Sequence, residues 1–243
     1  MSFFRPSRFI VRLLFLTMAA TLTSSVPLSA EEPGSEDPYI VRIEEDWVAL
    51  IRTPDTATSA PQILNVISPQ ESMNGAFGMV ELNHASFPGF QEGGLQVQGW
   101  LGETMAGVAY SSESRKLHHS YDRLEYTVAM TRSEQSLTFE LLNGRSRTWG
   151  KFATGGIQTQ IAVSDASLEN YNPAFSVANT NVNVGAHRVD VLYQRETRYF
   201  LSDGTTITDN TMRVIHRYNE LVQYVSIEDY DANEEYYNIA ITE

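Results

Sequence analysis

Apolar and polar residues alternate most strictly near the middle of the chain. From position 124 to 131, Leu, Tyr, Val and Met alternate with Glu, Thr, Ala and Thr, and from 137 to 142, Leu, Phe and Leu alternate with Thr, Glu and Leu. Successive side chains leave a pleated strand on opposite faces. This period of two therefore predicts two half-buried β-strands.

The alternation also predicts how these two strands pair. If residues 132–135 form the loop, Thr131 lies opposite Ser136 and the six residues of the apolar pairs share one face. A slip of one residue would turn the apolar set of one strand to the other face, so the pattern argues for this register. The apolar pairs that follow are Met130–Leu137, Val128–Phe139 and Tyr126–Leu141.

Asn143-Gly144 is a strong hairpin signal, because both residue types accept positive φ, and it predicts a third antiparallel strand. Two positions for Trp149 remain open. A two-residue loop places the indole on the outer face beside Glu140 and Arg147, an arrangement typical of sugar-stacking platforms. If Arg145 joins the loop as a bulge, the indole enters the core, which the burial of so large a side chain favours.

Short strands separated by loop-forming sequences are predicted along most of the remaining chain, and no long helix is predicted. Together they indicate an all-β protein, a two-sheet antiparallel sandwich of the jelly-roll type with about a dozen strands. The further predicted strands are residues 39–51, 62–67, 77–82, 95–101, 157–163, 189–193, 197–202, 205–208, 221–227 and 236–242.

Two connections stand out. Residues 164–187 form a long polar connection that includes Asn179 and Asn181, and loops of this length in a compact domain usually carry function or wrap an edge. Asp203-Gly204 predicts a tight two-residue turn between antiparallel strands. The pairs expected across that turn are Phe200–Ile207 and Arg198–Asp209.

The N-terminal residues predict export. Residues 1–30 combine a basic start, an apolar stretch and small residues before Ala30, which is typical of a secretory signal peptide. Residues 31–38 are acidic and contain two prolines, which predicts a flexible leader, and residues 39–243 are expected to form one domain. We expect a secreted, periplasmic or cell-surface protein, with no insertion into a membrane after cleavage.

Charge and cysteine content exclude several functions. Three of the 17 basic residues lie in the signal, so the remainder carries 14 basic and 30 acidic residues, a net charge near −16. A field of this sign repels nucleic acid, which excludes a nucleic-acid partner. The chain has no cysteine, so disulfides, thiol catalysis and cysteine-based metal sites are excluded.

No catalytic motif is present. The E-x-D-x-E pattern of sandwich glycosidases, the G-x-S-x-G elbow and glycine-rich phosphate loops are all missing from the sequence. A calcium loop is one reading of the acidic stretch near the C-terminus, although its sixth and twelfth positions lack the expected glycine and carboxylate, which favours a solvated acidic turn. The alternating oxygen ligands of that stretch are Asp229, Asp231, Asn233 and Glu235.

The stretch GAHRVDVLYQRETRYFLSDGTTI, residues 185–207, resembles the strand–strand–Asp-Gly hairpin of laminin-G-like domains, which belong to the concanavalin A-like sandwiches. Ala186-His187 stand where that family usually has a tryptophan. The resemblance implies a sandwich fold and a bias toward carbohydrate or protein ligands. The whole chain also resembles secreted bacterial proteins, a likeness from which no activity follows.

We therefore expect a secreted binding module and not an enzyme, with a polysaccharide or an extracellular matrix protein as its partner. One alternative is a structural or surface-assembly protein that binds another protein chain. A glycoside hydrolase is a further alternative, and it would need two carboxylates facing each other across a groove. The ligand-binding residues expected for the first function are Trp149, Arg147, Glu140, Asn179 and Asn181.

Overall fold

The protein is an all-β sandwich of two antiparallel sheets, which confirms the fold class predicted from the alternation. The computed structural model describes residues 37–51, 61–84, 94–111, 122–146 and 150–217. The strands are β1 (Ile40–Ile51), β2 (Gln62–Ile67), β3 (Ala76–His84), β4 (Gly94–Leu101), β5 (Thr104–Tyr110), β6 (Asp122–Ser133), β7 (Ser136–Ser146), β8 (Gly150–Phe152), β9 (Ile157–Ala162), β10 (Asn181–Val184), β11 (Val189–Leu201), β12 (Thr206–Asp209) and β13 (Arg213–Arg217).

The larger sheet has eight strands in the order β12-β11-β1-β6-β7-β8, with β13 also beside β11 and β9 also beside β7. The smaller sheet has five strands in the order β10-β2-β3-β4-β5. A short helix, α1 (Pro173–Asn179), and a 3-10 turn, Ala186–Arg188, flank β10. Within the described residues, no helix is long and apolar enough to cross a membrane.

The core lies between the inner faces of the two sheets. Ile43 of β1 and Phe139 of β7 are fully buried in one cluster with Ile63 of β2 and Leu82 of β3. The two sheets lie close together where the Phe139 ring packs against Gly78, since a Cβ at that glycine would sit 2.3 Å from Phe139 Cδ1. Glycine is needed there to make room for the ring.

The predicted register between β6 and β7 is wrong by two residues. The loop is only Glu134-Gln135, so Ser133 pairs with Ser136, and the apolar pairs that follow are Met130–Phe139 and Val128–Leu141. A slip of two residues keeps every side chain on its original face. The alternation therefore predicts the buried face correctly and cannot distinguish the two registers.

Asn143-Gly144 is a bulge within β7, and the prediction of a hairpin turn there is wrong. The strand continues to Ser146, and its pairing with β6 shifts between Thr127–Leu142 and Glu125–Arg145. Asn143 has a φ of 56°, so the residue type that suits a tight turn serves here to accommodate the extra residue. The third strand follows as β8, in which Phe152 pairs with Gly144.

The predicted turn at Asp203-Gly204 exists, but its register is wrong by one residue. Tyr199 pairs with Ile207 and Phe200 with Thr206. Three residues, 202–204, form the loop, with Gly204 at a φ of 86°. Three-residue hairpin loops of this kind end on a residue in the left-handed region, which here is Gly204.

Other predictions differ in extent. The two strands predicted between 189 and 202 form the single strand β11, and β5 lies in a stretch for which no regular element is predicted. The connection 164–187 contains α1 and β10. The predicted signal peptide, most of the predicted leader and the strands predicted at 221–227 and 236–242 lie outside the described residues.

Candidate functional site

A glutamate interrupts the apolar inner face of β1. Ile43, Trp47 and Ala49 point into the core, and Glu45 lies between them on the same face because side chains two positions apart share a face. Its side chain is fully buried, with 0% exposure. A buried carboxyl is costly unless it is hydrogen-bonded or becomes neutral, so the partners of Glu45 decide its chemistry.

Both oxygens of the Glu45 carboxyl accept a hydrogen bond. The indole Nε1 of Trp47 donates to Oε2 at 2.9 Å, and the hydroxyl of Tyr171 donates to Oε1 at 2.6 Å. Trp47 belongs to the same strand, whereas Tyr171 comes from the connection that precedes α1. These two bonds fix the orientation of the carboxyl group.

Two more polar side chains lie beside this carboxyl. Gln194 of β11 is the cross-strand neighbour of Trp47, and Ser176 belongs to α1. Both are fully buried, and both help to lower the pKa of Glu45, although neither Gln194 Nε2 nor Ser176 Oγ makes a hydrogen bond within 3.5 Å. We call Glu45, Trp47, Tyr171, Ser176 and Gln194 the Glu45 cluster.

Burial raises the pKa of Glu45 from 4.5 to about 7. The hydrogen-bond donors of the cluster oppose this shift, but desolvation of the carboxylate is the larger effect. Glu45 is therefore a neutral acid in mildly acidic solution and a carboxylate in mildly alkaline solution. A carboxyl that changes charge near neutral pH is typical of general acid–base residues.

Further polar groups without partners surround the cluster. Thr197 lies opposite Glu45 across the strand pair, and Asn65 of β2 accepts a hydrogen bond from the hydroxyl of Tyr126 at 2.9 Å. Within the described residues, seven buried side-chain polar atoms have no hydrogen-bond partner. Four belong to the cluster or to these neighbours: Asn65 Nδ2, Ser176 Oγ, Gln194 Nε2 and Thr197 Oγ1. Buried unpaired polar atoms are rare in cores, so their concentration beside Glu45 calls for an explanation.

A chain of polar contacts connects the cluster to the edge of the larger sheet. The Gln194 carbonyl oxygen accepts a hydrogen bond from Arg213 Nη1 at 3.2 Å. Arg213 Nη2 is 2.6 Å from Asp209 Oδ2, and both side chains are partly exposed. Arg213 thus orients the Gln194 amide by holding its oxygen, which leaves the NH2 group free to serve as a donor.

The residues predicted to bind a ligand are not gathered at this site. Glu140 lies on the outer face of β7 and accepts a hydrogen bond from Arg42 at 3.0 Å. Asn179 ends α1, where its side chain donates to the Phe175 carbonyl at 2.8 Å, and Asn181 is exposed on β10 of the other sheet. Outside the described residues lie Trp149, Arg147 and the predicted calcium ligands Asp229, Asp231, Asn233 and Glu235.

Among the described residues, no group of three or more histidine, aspartate or glutamate side chains is placed to hold a metal ion. Sequence reasoning missed Glu45 as a candidate. The signal was present, because the alternation of Ile43, Trp47 and Ala49 places position 45 on the inner face.

No family model and no curated protein matches the chain. Among solved structures, the chain is similar to the crystal structure of scytalido-glutamic peptidase with a transition state analog inhibitor. The identity is 14% and the TM-score is 0.26, over 75% of this chain and 87% of that chain. A similarity this low transfers neither an activity nor residue roles to this chain.

The prediction of a binding module is wrong. In the described part of the chain, four of the seven buried side-chain polar atoms without a hydrogen-bond partner lie inside the sandwich around Glu45. Glu140, expected to flank a ligand on the outer face, is instead held by Arg42.

Proposed function

We propose that the protein is a hydrolase of acyl compounds, in which Glu45 is the general acid–base and the Gln194 amide binds the developing oxyanion. One observation carries this proposal: a buried carboxyl with a pKa of about 7 lies beside an amide donor that has no other partner. Proton transfer is most efficient when the pKa of the catalytic group lies near the working pH. Fixed donors in a dry interior stabilise developing negative charge strongly.

The proposed reaction needs only this chain's own groups and water. The Glu45 carboxylate takes a proton from a water molecule as the water oxygen bonds to the carbonyl carbon. Gln194 Nε2 donates to the carbonyl oxygen as that oxygen becomes negative. The bond to the leaving group then breaks, and the proton passes from Glu45 to the departing nitrogen or oxygen, which restores the carboxylate.

The neighbouring carboxylates favour acyl transfer over glycoside hydrolysis. A glycosidase needs two carboxyl groups on opposite sides of the scissile bond. Glu44 and Asp46 point to the outer face of the sheet, away from Glu45, where Arg198 pairs with both at 2.9 and 2.8 Å. One carboxyl with an amide donor suits an amide or ester substrate better.

Access to Glu45 requires a movement of the chain. Tyr171 and Ser176 cover the carboxyl from the side of α1, and the side chain has no exposed surface. Substrate must displace this cover, as in enzymes whose loops close over the reacting groups and exclude water.

The test is hydrolysis of pooled quenched-fluorescent peptides and of simple esters by the purified protein between pH 4 and 9. Glu45→Gln should lower kcat/KM by about 100-fold or more, and Gln194→Ala should lower kcat by about 100-fold. Glu44→Gln, one position away on the opposite face, is the matched control and should stay within a few-fold of the unmodified protein. Absence of hydrolysis, or full activity in Glu45→Gln, would overturn the proposal.

A further inference from the structure

We propose that Thr197 of β11 and Glu45 hold one water molecule between them inside the sandwich, and that this is the water from which Glu45 takes a proton. Only the second part rests on the proposed function, because the water site can be detected whatever the protein hydrolyses. The proposal adds Thr197 to the catalytic residues, as the side chain that holds the attacking water.

Thr197 faces Glu45 directly. The two residues are partners in the antiparallel pair of β1 and β11. Side chains of such partners leave the sheet on the same face, with their Cβ atoms about 4.5–5.5 Å apart. Both side chains are fully buried. The hydroxyl of Thr197 therefore lies inside the sandwich, on the same face as the carboxyl and shielded from bulk solvent.

A bulge in β11 places Thr197 and Gln194 on the same inner face. The pairing with β1 shifts by one residue between Glu196 and Gln194, so Arg195 is an extra residue in the strand. In a regular strand, positions 194 and 197 would point to opposite faces. Arg195 takes up the difference on the outer face, where its Nη2 lies 3.0 Å from Asp46 Oδ2. Bulges beside active sites commonly aim side chains in this way.

The hydroxyl of Thr197 has no partner among the protein groups that the structure describes. Thr197 Oγ1 is buried and makes no hydrogen bond. The bonds within 3.5 Å that the Glu45 oxygens accept come from Trp47 and Tyr171. A hydroxyl can donate one bond and accept two, so burying it with none is costly. A bound water molecule would remove this cost.

The groups around Thr197 are those that an internal water molecule needs. Polar side chains that face each other without a direct bond are commonly bridged by water, and an internal water needs about two to four polar partners. Glu45 and Thr197 supply two, since each carboxylate oxygen can accept a further bond. A third is Ser176 Oγ, which is also unpartnered and lies beside the same carboxyl.

A water in this position is oriented for the proposed reaction. It donates one proton to the Glu45 carboxylate and the other to Thr197 Oγ1, which leaves a lone pair on the water oxygen for the carbonyl carbon. As the new carbon–oxygen bond forms, the first proton passes to Glu45, and Thr197 keeps its own proton throughout. Gln194, on the other side of the bulge, keeps its NH2 group for the carbonyl oxygen.

Magnetic relaxation dispersion of water deuterium and oxygen-17 counts the long-lived internal waters of the intact protein without any substrate. Thr197→Val has nearly the same shape but no hydroxyl, so the count should fall by about one molecule, whereas Thr197→Ser should keep it. Thr127→Val is the matched control and should leave the count unchanged, because that buried hydroxyl is already bonded to Asp46 at 2.7 Å on the outer face. An unchanged count in Thr197→Val would overturn the proposal.

Kinetics with the peptides and esters that the unmodified protein hydrolyses test the role of this water. Thr197→Val should lower kcat by about 10- to 100-fold with KM within about threefold, since the hydroxyl positions the water and does not bind the acyl group. Thr197→Ser should restore most of kcat. Full kcat in Thr197→Val, or a loss that serine does not restore, would refute this role. A protein that hydrolyses nothing, but loses the water in Thr197→Val, would refute the proposed function and leave the water site standing.

Discussion

Replacing Glu45 by glutamine should make the protein more stable in neutral and alkaline solution. Glutamine has nearly the same shape and never carries a charge; its one oxygen can accept from Trp47 while its NH2 group donates to the Tyr171 hydroxyl, which can rotate to accept. In the native protein, burial raises the pKa of Glu45 from 4.5 to about 7. A raised folded-state pKa favours folding below pH 4.5, and this contribution is lost as the pH rises through 7.

The size of this loss of stability follows from the shift in the pKa of Glu45. One pKa unit corresponds to about 1.4 kcal/mol, so ionisation of Glu45 should lower the free energy of unfolding by about 3 kcal/mol between pH 4.5 and pH 8. For a domain whose total stability is typically about 5–15 kcal/mol, this is a large fraction. It should exceed the contribution of any exposed carboxyl.

Urea unfolding at several pH values from 4.5 to 8.5, followed by intrinsic fluorescence, measures this quantity. The difference in unfolding free energy between the unmodified protein and Glu45→Gln should grow by about 3 kcal/mol across the series. Glu44→Gln serves as the control, because Glu44 lies on the outer face in ion pairs with Arg42 and Arg198. If the unfolding free energies of the unmodified protein and of Glu45→Gln change in parallel with pH across this range, Glu45 is not a buried carboxyl of raised pKa.

Three further substitutions test the fold around the site. Gly78→Ala should cost about 1–3 kcal/mol in urea unfolding, because its Cβ would lie 2.3 Å from Phe139 Cδ1, and a cost near zero would contradict the close approach of the sheets. Asn143→Ala should cost about 1 kcal/mol at its φ of 56°, whereas Asn143→Gly should cost nothing. Asp46→Asn should cost roughly 2 kcal/mol at pH 7, measured by the same method. Burial works against the Asp46 carboxylate, but its hydrogen bonds from Arg198 and Thr127 outweigh burial and lower the pKa of Asp46, so this contribution is present above pH 4 and is lost as the solution becomes more acidic.

Alternation predicted which residues are buried better than it predicted which residues are neighbours. Val128, Met130 and Phe139 lie in the core as expected, yet Phe139 pairs with Met130 and not with Val128. The buried face depends only on the parity of a position, whereas the register depends on the length of the loop. The loop here has two residues, and its sequence, Glu134-Gln135, lacks the glycine or asparagine that would have marked it.

The turn signals were correct about backbone conformation and wrong about topology. Asn143 has the positive φ that Asn-Gly predicts, but it uses this conformation for a bulge inside β7. A local preference for positive φ is satisfied equally by a turn or by a bulge, and the choice depends on the partner strand. The local sequence does not show which strand will pair with this segment.

The site was predictable in part. The strand pattern places Glu45 on the inner face of β1, but its partner Tyr171 lies 126 residues away and Gln194 lies on another strand. Only the pairing of β1 with β11 and the position of α1 bring these groups together. Because the raised pKa comes from their combined burial, no local motif could have revealed it.

Carbon-13 NMR titration of the glutamate side-chain carboxyls, with Glu45 assigned from the spectrum of Glu45→Gln, tests the identity of the site most directly. Glu45 should titrate near pH 7, and that transition should be missing from the variant. If every glutamate titrates within about one pH unit of the ordinary value of 4.5, then Glu45 is not a tuned general acid–base.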